Sequence, residues 1–162
     1  MKFTPGVIAA FLAGVLALSA LLVMGFGGYR YWSADQDDKA REQALAAATT
    51  TVPAMFSYEY TTVDTELPKT ADLLSPAFRE DYLALITSAI APGAKEKQLS
   101  VMATAQAGGI VDADREHAVV MLFLNQVTTS KDSPEGTTTG SRLRVELDKD
   151  GDRWLVDAVT PI

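Results

Sequence analysis

The chain of 162 residues has no cysteine and a single histidine, His117. The lack of cysteine excludes disulfides, thiol nucleophiles and Cys-ligated zinc sites. One histidine cannot form a cluster of histidine metal ligands, and any catalytic triad would have to use it. Phosphate-binding loops, nucleophile elbows and kinase signatures are absent from the sequence as well. These absences predict a protein that is not an enzyme and that holds no metal or cofactor.

Basic residues are scarce after the N-terminal segment. With Lys2 set aside, 13 of the 14 Lys and Arg and all 21 Asp and Glu lie from Arg30 onward, a formal charge of −8. Nucleic acids and anionic membrane surfaces both require a basic face on the protein that binds them. The charge therefore argues against either as the partner of this part of the chain.

Charge is missing altogether from Phe3 to Tyr29. Within this stretch, Val7 to Gly28 would span roughly 33 Å as a helix at about 1.5 Å per residue, enough to cross a hydrocarbon core of about 30 Å. The aromatic residues of 29–32 suit the depth of the lipid headgroups. We predict a single transmembrane anchor over 1–32. A cleaved signal peptide is the alternative, but the apolar run is long and no A-x-A site follows it.

The charges around this span do not decide its orientation. Only Lys2 and the amino terminus precede it, whereas Arg30, Lys39 and Arg41 follow it. The positive-inside rule taken literally would keep the following domain in the cytoplasm, and the nearby acidic residues contribute little to the rule. The residues by themselves leave the side open.

Small residues recur along the predicted span. Gly6, Ala10 and Gly14 are four residues apart, with Ala13 and Ala17 beside them. Small residues at this spacing let membrane helices approach closely. They form a candidate partner-binding face, although Ala and Gly are common in such helices.

Two helices are predicted between the anchor and the strands. The segment 33–57 is rich in helix formers and reads as a juxtamembrane helix that Pro53 breaks or kinks near its end. The second helix starts with Ser75 as N-cap and Pro76 as first helical residue, and Pro92-Gly93 ends it. Its apolar stripe consists of Phe78, Tyr82, Leu85, Ile86 and Ala89.

From Gln98 onward apolar residues alternate with polar ones, as in strands. Strands are predicted over 98–107, 117–129, 140–148 and 153–160, with Gly108-Gly109 as a bulge or bend. Helices first and antiparallel strands afterwards indicate an α+β fold. We expect a curved four-stranded antiparallel sheet with the helices packed on one face.

The last hairpin can be given a register from its turn. Asp150-Gly151 is a two-residue turn signal. Centring the ladder on this turn pairs Leu147 with Trp154 and sets Asp148 against Arg153. The same register pairs Val145 with Val156, Leu143 with Ala158 and Arg144 with Asp157.

The run "VVMLFLNQVT", residues 119–128, ends in two neighbouring amides. Both faces of this strand are apolar up to Leu124, which predicts a central strand covered on both sides, by helix on one and by a partner or another part of the chain on the other. Adjacent strand residues point in opposite directions. Asn125 and Gln126 therefore cannot converge on one ligand, and each closes a different face.

The residues able to carry chemistry are scattered. His117 stands in the polar turn after Asp114 and is either a general base or, as we favour, a solvated turn residue. "DKDGD" (148–152) has the wrong glycine and glutamate positions for a calcium loop. Three further carboxylates before the second helix are read as caps and solvated charges: Glu59, Asp64 and Glu66.

The order of several segments resembles the Mce-associated membrane proteins of actinobacteria. The segments are the N-terminal span, the Ala-rich helix, "FSYEYTTVDTEL", "LLSPAFREDY", "LFLNQVTTS" and "RLRVELDKDGDRWLVDAVTPI". The resemblance implies a cone-like fold similar to nuclear transport factor 2 over 58–162, with the helix 33–57 packing on it. It also implies an extracytoplasmic position on the cytoplasmic membrane, against the literal charge count. In this family Asn125, Gln126 and Trp154 look structural.

Two hypotheses follow. In the first, the chain is a non-enzymatic accessory or stabilising subunit of an Mce-type, ATP-driven lipid importer: its span contacts the permease and its acidic domain contacts substrate-binding subunits. In the second, it is a lipid-binding or enzymatic cone-fold domain, and His117 or Asp64 would then have to face an apolar pocket. An independent, self-associating scaffold is a weaker possibility.

Overall fold

The structure is a computed structural model that describes residues 36–162. The predicted anchor 1–32 and its small residues Gly6, Ala10, Ala13, Gly14 and Ala17 lie outside the described residues. Among the residues described, no helix is long and apolar enough to cross a membrane. Lys39–Ile162 forms one compact unit.

The first described helix, α1, runs through residues 36–56. Its buried side chains recur at helical spacing and are mostly small: Ala40, Ala44, Ala48, Val52 and Met55, none more than 4% exposed. Pro53 does not break the helix. It lies in the last turn, where the carbonyl that it leaves without a donor belongs to Thr49, an exposed residue.

Helix α1 lies very close to the sheet. A Cβ atom added to Gly108 of the first strand would stand 3.0 Å from Leu122 Cδ1 and 3.1 Å from Leu45 Cδ1. These contacts are tighter than most contacts of real Cβ atoms, so a side chain at this point would require the two leucine side chains to shift by a few tenths of an ångström. The alanines of α1 and Gly108 together bring the helix and strand backbones together.

A helical layer follows α1. It consists of α2 (Val63–Glu66), a 3₁₀ turn (Leu67–Leu73), α3 (Pro76–Leu85), a π turn (Ile86–Ile90) and α4 (Ala91–Lys97). The predicted start of α3 is confirmed, because the Ser75 side chain accepts a hydrogen bond from the backbone N–H of Phe78 at 3.3 Å and Pro76 is the first helical residue.

The prediction that Pro92-Gly93 ends this helix is wrong. Proline has no N–H, and in a regular α-helix its ring collides with the carbonyl four residues back. The wider π turn before it avoids this collision, with the Ala91 N–H donating to the Ile86 carbonyl five residues back. The chain then re-enters an α-helix, which ends at Gln98 in the left-handed conformation (φ 50°).

The predicted apolar stripe is correct only in part. Tyr82 and Ile86 are buried, at 6% and 3% exposure, and Phe78 packs at the margin of the core. Leu85 is 51% exposed, and Ala89 is exposed as well. The π turn changes the angular spacing after Leu85, so the simple 3.6-residue period does not hold there.

The strands form a four-stranded antiparallel sheet in the order β1-β2-β3-β4. They are β1 (Ser100–Ala113), β2 (His117–Thr129), β3 (Thr137–Asp150) and β4 (Arg153–Pro161). The predicted α+β fold with this sheet and helices is confirmed. Gly108 and Gly109 do not interrupt β1, whose irregularities fall at residues 106 and 111 instead.

The predicted register of the last hairpin is wrong. The last pair before the turn is Asp150 with Arg153, so the turn consists of Gly151 and Asp152, with Gly151 at φ +61°. Trp154 consequently pairs with Lys149 rather than with Leu147. A bulge at Asp157 shifts the ladder again, so that Val145 pairs with Val159.

The core lies between the sheet and the helices. We call the sheet face that the helices cover the helix-side face and the opposite one the outer face. Side chains of β2, β3 and β4 that point to the helix-side face are almost completely buried: Val120, Leu122, Leu124, Leu143, Val145, Leu147 and Val156. The predicted packing of helices on one face of the sheet is confirmed.

Leu122 and Phe123 provide a direct test of this two-faced strand. Leu122 is 0% exposed and Phe123 is 44% exposed. Leu122→Ala is expected to lower the free energy of unfolding by about 2–5 kcal/mol, because it leaves a cavity in the core. Phe123→Ala should lower it by about 1 kcal/mol or less. Urea unfolding followed by circular dichroism measures both, and equal losses would contradict the assignment of faces.

Candidate functional site

The two neighbouring amides of β2 point into different surroundings. Gln126 lines a cavity on the helix-side face. Asn125 lines a cleft on the outer face. The prediction that they cannot converge on one ligand is confirmed. The two amides therefore belong to two different surfaces of the domain.

The cavity on the helix-side face has a volume of about 340 Å³. It lies between α3, the end of α1 and the edge of the core. Most of its wall is apolar and aromatic: Met55, Phe56, Phe78, Tyr82, Val101 and Val159. Asp81 and Leu85 also line it, and both are exposed, so they lie at its opening.

Tyr82 fixes one wall of the cavity. Its hydroxyl donates to the Met55 carbonyl at 2.9 Å and accepts from Thr70 Oγ1 at 3.0 Å. Burial raises the pKa of Tyr82 to about 12. The hydroxyl is neutral and fully engaged, so Tyr82 presents its ring, and not its polar end, to the cavity.

Three other polar side chains in the wall are uncommitted. Gln126, Tyr58 and Asp81 make no side-chain hydrogen bond or ion pair with any other residue of 36–162. Burial raises the pKa of the Tyr58 hydroxyl. Asp81 and Tyr58 were not among the residues predicted from the sequence. Asp81 follows Phe78 by three residues and precedes Leu85 by four. This spacing could have predicted that Asp81 lies beside these two side chains on the surface of the helix.

The outer face carries an exposed apolar patch. It consists of Met102 (69% exposed), Phe123 (44%), Val127 (40%) and Ile162 (58%). Met102 and Val127 are direct cross-strand partners, and the Ile162 N–H bonds to the Arg142 carbonyl, opposite Phe123. The predicted helix cover of β2 is confirmed, whereas no described part of the chain covers this patch.

A cleft lies within the apolar patch. Asn125 and Gly140 are opposite each other on β2 and β3, and Phe123, Ile162 and Arg142 surround them. A Cβ at Gly140 would be 3.5 Å from Asn125 Oδ1, an ordinary contact. The missing side chain at residue 140 therefore makes a depression between apolar neighbours.

His117 lies on the outer face at the far end of β2. It pairs with Asp148 of β3, and its Nδ1 is 2.7 Å from Asp148 Oδ1. This hydrogen bond raises the pKa of His117. Asp114 accepts hydrogen bonds from the backbone N–H groups of Glu116 and His117, which lower its pKa. These groups form an exposed turn, as predicted.

The remaining carboxylates do not come together. Asp64 forms an ion pair with Lys95, and Glu66 pairs with Lys69 at 2.7 Å. No group of three or more potential metal ligands occurs within 36–162, and this range includes the "DKDGD" turn. Neither His117 nor Asp64 lines the cavity. Asp64 lies instead at a separate cleft, which Ile86 and Lys95 also line.

Trp154 belongs to the core cluster and is 6% exposed. Its Nε1–H has no hydrogen-bond partner in the part of the chain that the structure describes. Lys149, its cross-strand partner, places Nζ 5.7 Å from the ring centroid. The position of Trp154 is that of a core side chain at the end of the sheet.

The His117–Asp148 contact predicts a pH-dependent stability. Because the folded pKa of His117 is raised above its unfolded value of about 6.5, the contribution to stability is fully present below that value and is lost as pH rises through the folded pKa. NMR titration of His117 should give a pKa above 6.5 that Asp148→Asn lowers. Asp150→Asn, which touches Arg153 instead, is the control, and an equal effect of both would refute the assignment.

The comparison with known proteins gives two mycobacterial relatives, and no family model matches the chain. The chain is 39% identical over 124 residues to the outer membrane protein Rv1973 of Mycobacterium tuberculosis, covering 76% of each. It is 32% identical over 153 residues to the uncharacterized protein Rv1362c of the same organism, covering 91% of this chain and 70% of the relative.

Solved structures with a similar fold are extracytoplasmic or secretion-system domains. An IcmL-like type IV secretion system protein from Legionella pneumophila gives a TM-score of 0.63 at 16% identity, covering 75% of this chain and 93% of that one. The periplasmic domain of DotI gives 0.62 at 18% identity, covering 73% and 91%. At these identities the likeness concerns the fold alone. The evidence for homology is the 39% sequence identity to Rv1973 over 76% of both chains. The chain therefore belongs to the family of this M. tuberculosis outer membrane protein.

Proposed function

We propose that the protein is a non-enzymatic accessory subunit of a membrane complex, and that this complex is an Mce-type lipid importer. In this proposal the segment 1–32 is a transmembrane anchor in the cytoplasmic membrane. The domain that follows is extracytoplasmic, has an NTF2-like cone fold and contacts other subunits. The catalytic step of such a system resides elsewhere, in its ATP-driven components.

The observation that carries the proposal is the apolar patch on the outer face. Its four side chains are between 40% and 69% exposed, on a domain whose formal charge is otherwise strongly negative. Contiguous exposed apolar patches mark interaction sites in soluble domains. A central strand that carries apolar side chains on both faces is usually covered on both, and here a partner subunit supplies the second cover.

The charges next to the patch indicate what its partner presents. Arg142 is exposed and makes no ion pair with any other described residue. It lies beside Phe123 and Ile162. The matching surface on the partner is therefore apolar with a carboxylate at its edge, since an unpaired arginine at an interface is best satisfied by a bidentate carboxylate.

Family and fold support the remaining parts of the proposal. Kinship with a protein named as an outer membrane protein supports membrane association. The similarity of fold to the periplasmic domain of DotI supports an extracytoplasmic position. The choice of an Mce importer rests on the sequence segments that resemble Mce-associated proteins, from "FSYEYTTVDTEL" to the last hairpin.

Purification of the full chain from native membranes tests the choice of complex. In mild detergent, the protein should bring with it an Mce-type permease and substrate-binding subunits, identified by mass spectrometry. A tagged membrane protein of similar size from the same cells serves as the control for nonspecific recovery. If the protein is recovered alone, or with subunits of a different machine, the Mce assignment fails.

A pair of variants tests the patch itself. Phe123→Glu should lower the recovery of the partner by about tenfold, because it places a charge at the centre of an apolar contact. Leu73→Glu is the matched control, since Leu73 is 39% exposed on the helical layer rather than on the outer face. Both variants should keep the circular dichroism of the wild type. Equal recovery with both would place the contact elsewhere.

A further inference from the structure

The cavity on the helix-side face is a second feature, independent of the apolar patch. It is separated from the patch by the thickness of the sheet, because Gln126 and Asn125 point in opposite directions from β2. The accessory role proposed above makes no use of it. The cavity is therefore a candidate for a second function of the domain.

The size of the cavity limits what can fill it. Its volume of about 340 Å³ is at the low end of the range for ligand sites, roughly 300–1,000 Å³. A water molecule takes about 30 Å³ of liquid, and a methylene group is of similar size. The space therefore suits one aliphatic chain of about ten carbons.

The wall is not the surface of an ordinary packing defect. Empty cavities in proteins are usually lined by apolar atoms alone. This one combines the aromatic rings of Phe56, Phe78 and Tyr82 with three polar side chains that have no partner among residues 36–162, namely Tyr58, Asp81 and Gln126. Few polar groups in a mainly apolar wall are typical of sites that orient a small amphiphile.

The charge of the wall selects the head group. Among the described residues, Asp81 is the only charged one in the lining, and no Lys, Arg or His of 36–162 belongs to it. Its carboxylate repels an anionic head and attracts a hydrogen-bond donor. Gln126 can donate and accept, and the Tyr58 hydroxyl can do the same. A fatty acid is therefore disfavoured, whereas an alcohol or an amine finds partners.

The backbone near the opening is also unusual. The π turn Ile86–Ile90 follows directly on Leu85, and both Leu85 and Ile90 line the cavity. A π turn displaces the following side chains relative to a regular helix. Leu85, the last residue before this turn, is 51% exposed at the mouth.

We propose that the cavity binds a single-chain amphiphile of about ten carbons whose head group donates hydrogen bonds and carries no negative charge. The chain lies against Phe78, Tyr82 and Val101, and the head lies near Asp81 at the opening. The proposal is one of binding, in which Asp81, Tyr58 and Gln126 orient the head group.

Photocrosslinking of the full chain in lipid nanodiscs tests this site. The probes are decan-1-ol and decanoic acid, each carrying a diazirine in the middle of the chain, and the labelled peptides are identified by mass spectrometry. The alcohol should label peptides from α3 and β1 about tenfold more than the acid, and unlabelled decan-1-ol should compete. Labelling by the acid that equals or exceeds labelling by the alcohol would refute the head-group class.

Val101→Phe and Val127→Phe locate the site. Val101 lines the cavity, whereas Val127 lies on the outer face. Filling the cavity should lower labelling by the alcohol about tenfold, and the control should leave it within about twofold. Equal labelling of both variants would show that the probe binds elsewhere. Both variants should have the circular dichroism of the wild type.

Asp81→Asn tests the preference for the head group. It should not disturb the packing of the core, because Asp81 is exposed. It should raise labelling by decanoic acid several-fold and leave labelling by decan-1-ol nearly unchanged. No change with the acid would refute the role of Asp81. Val101→Phe and Asp81→Asn lie outside the apolar patch, so these two variants should recover partner subunits as the wild type does, and the two proposals can fail separately.

Discussion

The contact between the alanine face of α1 and the sheet determines where the other elements lie. Ala44 and Ala48 are completely buried, and a Cβ at Gly108 would be in tight contact with Leu45 and Leu122. Because the residues at this contact are small, the helix lies near the backbone of β1. A larger side chain at any of these positions would push the helix outward and open the whole core.

The end of α1 then positions the helical layer. The Met55 carbonyl accepts the Tyr82 hydroxyl, which also accepts from Thr70, so one side chain of α3 connects α1 with the 3₁₀ turn. After α1 the backbone of Tyr58 pairs with that of Val101 at the edge of the sheet. The cavity lies beyond the alanines, where the larger side chains of Met55 and Phe56 at the end of α1 form part of its wall.

On the outer face, the exposed side chains of the apolar patch contrast with buried apolar side chains nearer the other end of the sheet. At the other end Val119 and Leu155 are 5% and 7% exposed, although they also belong to the outer face. Each lies opposite an acidic residue of β3, Glu146 or Asp148, and these pair with Arg144 and His117. The chain covers apolar side chains with its own ion pairs at this end, whereas around Phe123 it provides no such cover.

Signals from residues close together in the sequence predicted the helices and strands. They did not predict the arrangements that depend on residues far apart in the chain. Ser75 and Pro76 specify a helix start within four residues, so the sequence was sufficient there. The path past Pro92 depended on a π turn that no residue type encodes, and the ladder of β3 and β4 depended on a bulge at Asp157. The opposite directions of Asn125 and Gln126 followed from the period of a strand. The cavity beside Gln126 could not be predicted from this period, because Tyr58, Asp81 and Val159 come from segments far apart in the chain.

The ionisable groups with shifted pKa values lie apart from one another on the domain. An active site brings groups whose pKa values differ into one pocket, where an acid and a base act on the same substrate. Here the raised pKa of His117 and the lowered pKa of Asp114 belong to an exposed turn, while the raised pKa of Tyr82 belongs to a hydroxyl tied to Met55 and Thr70. The turn and the cavity are at different places on the domain, and the cavity holds no base but Asp81 at its mouth. The groups of the exposed turn and the Tyr82 hydroxyl therefore do not share one pocket within 36–162.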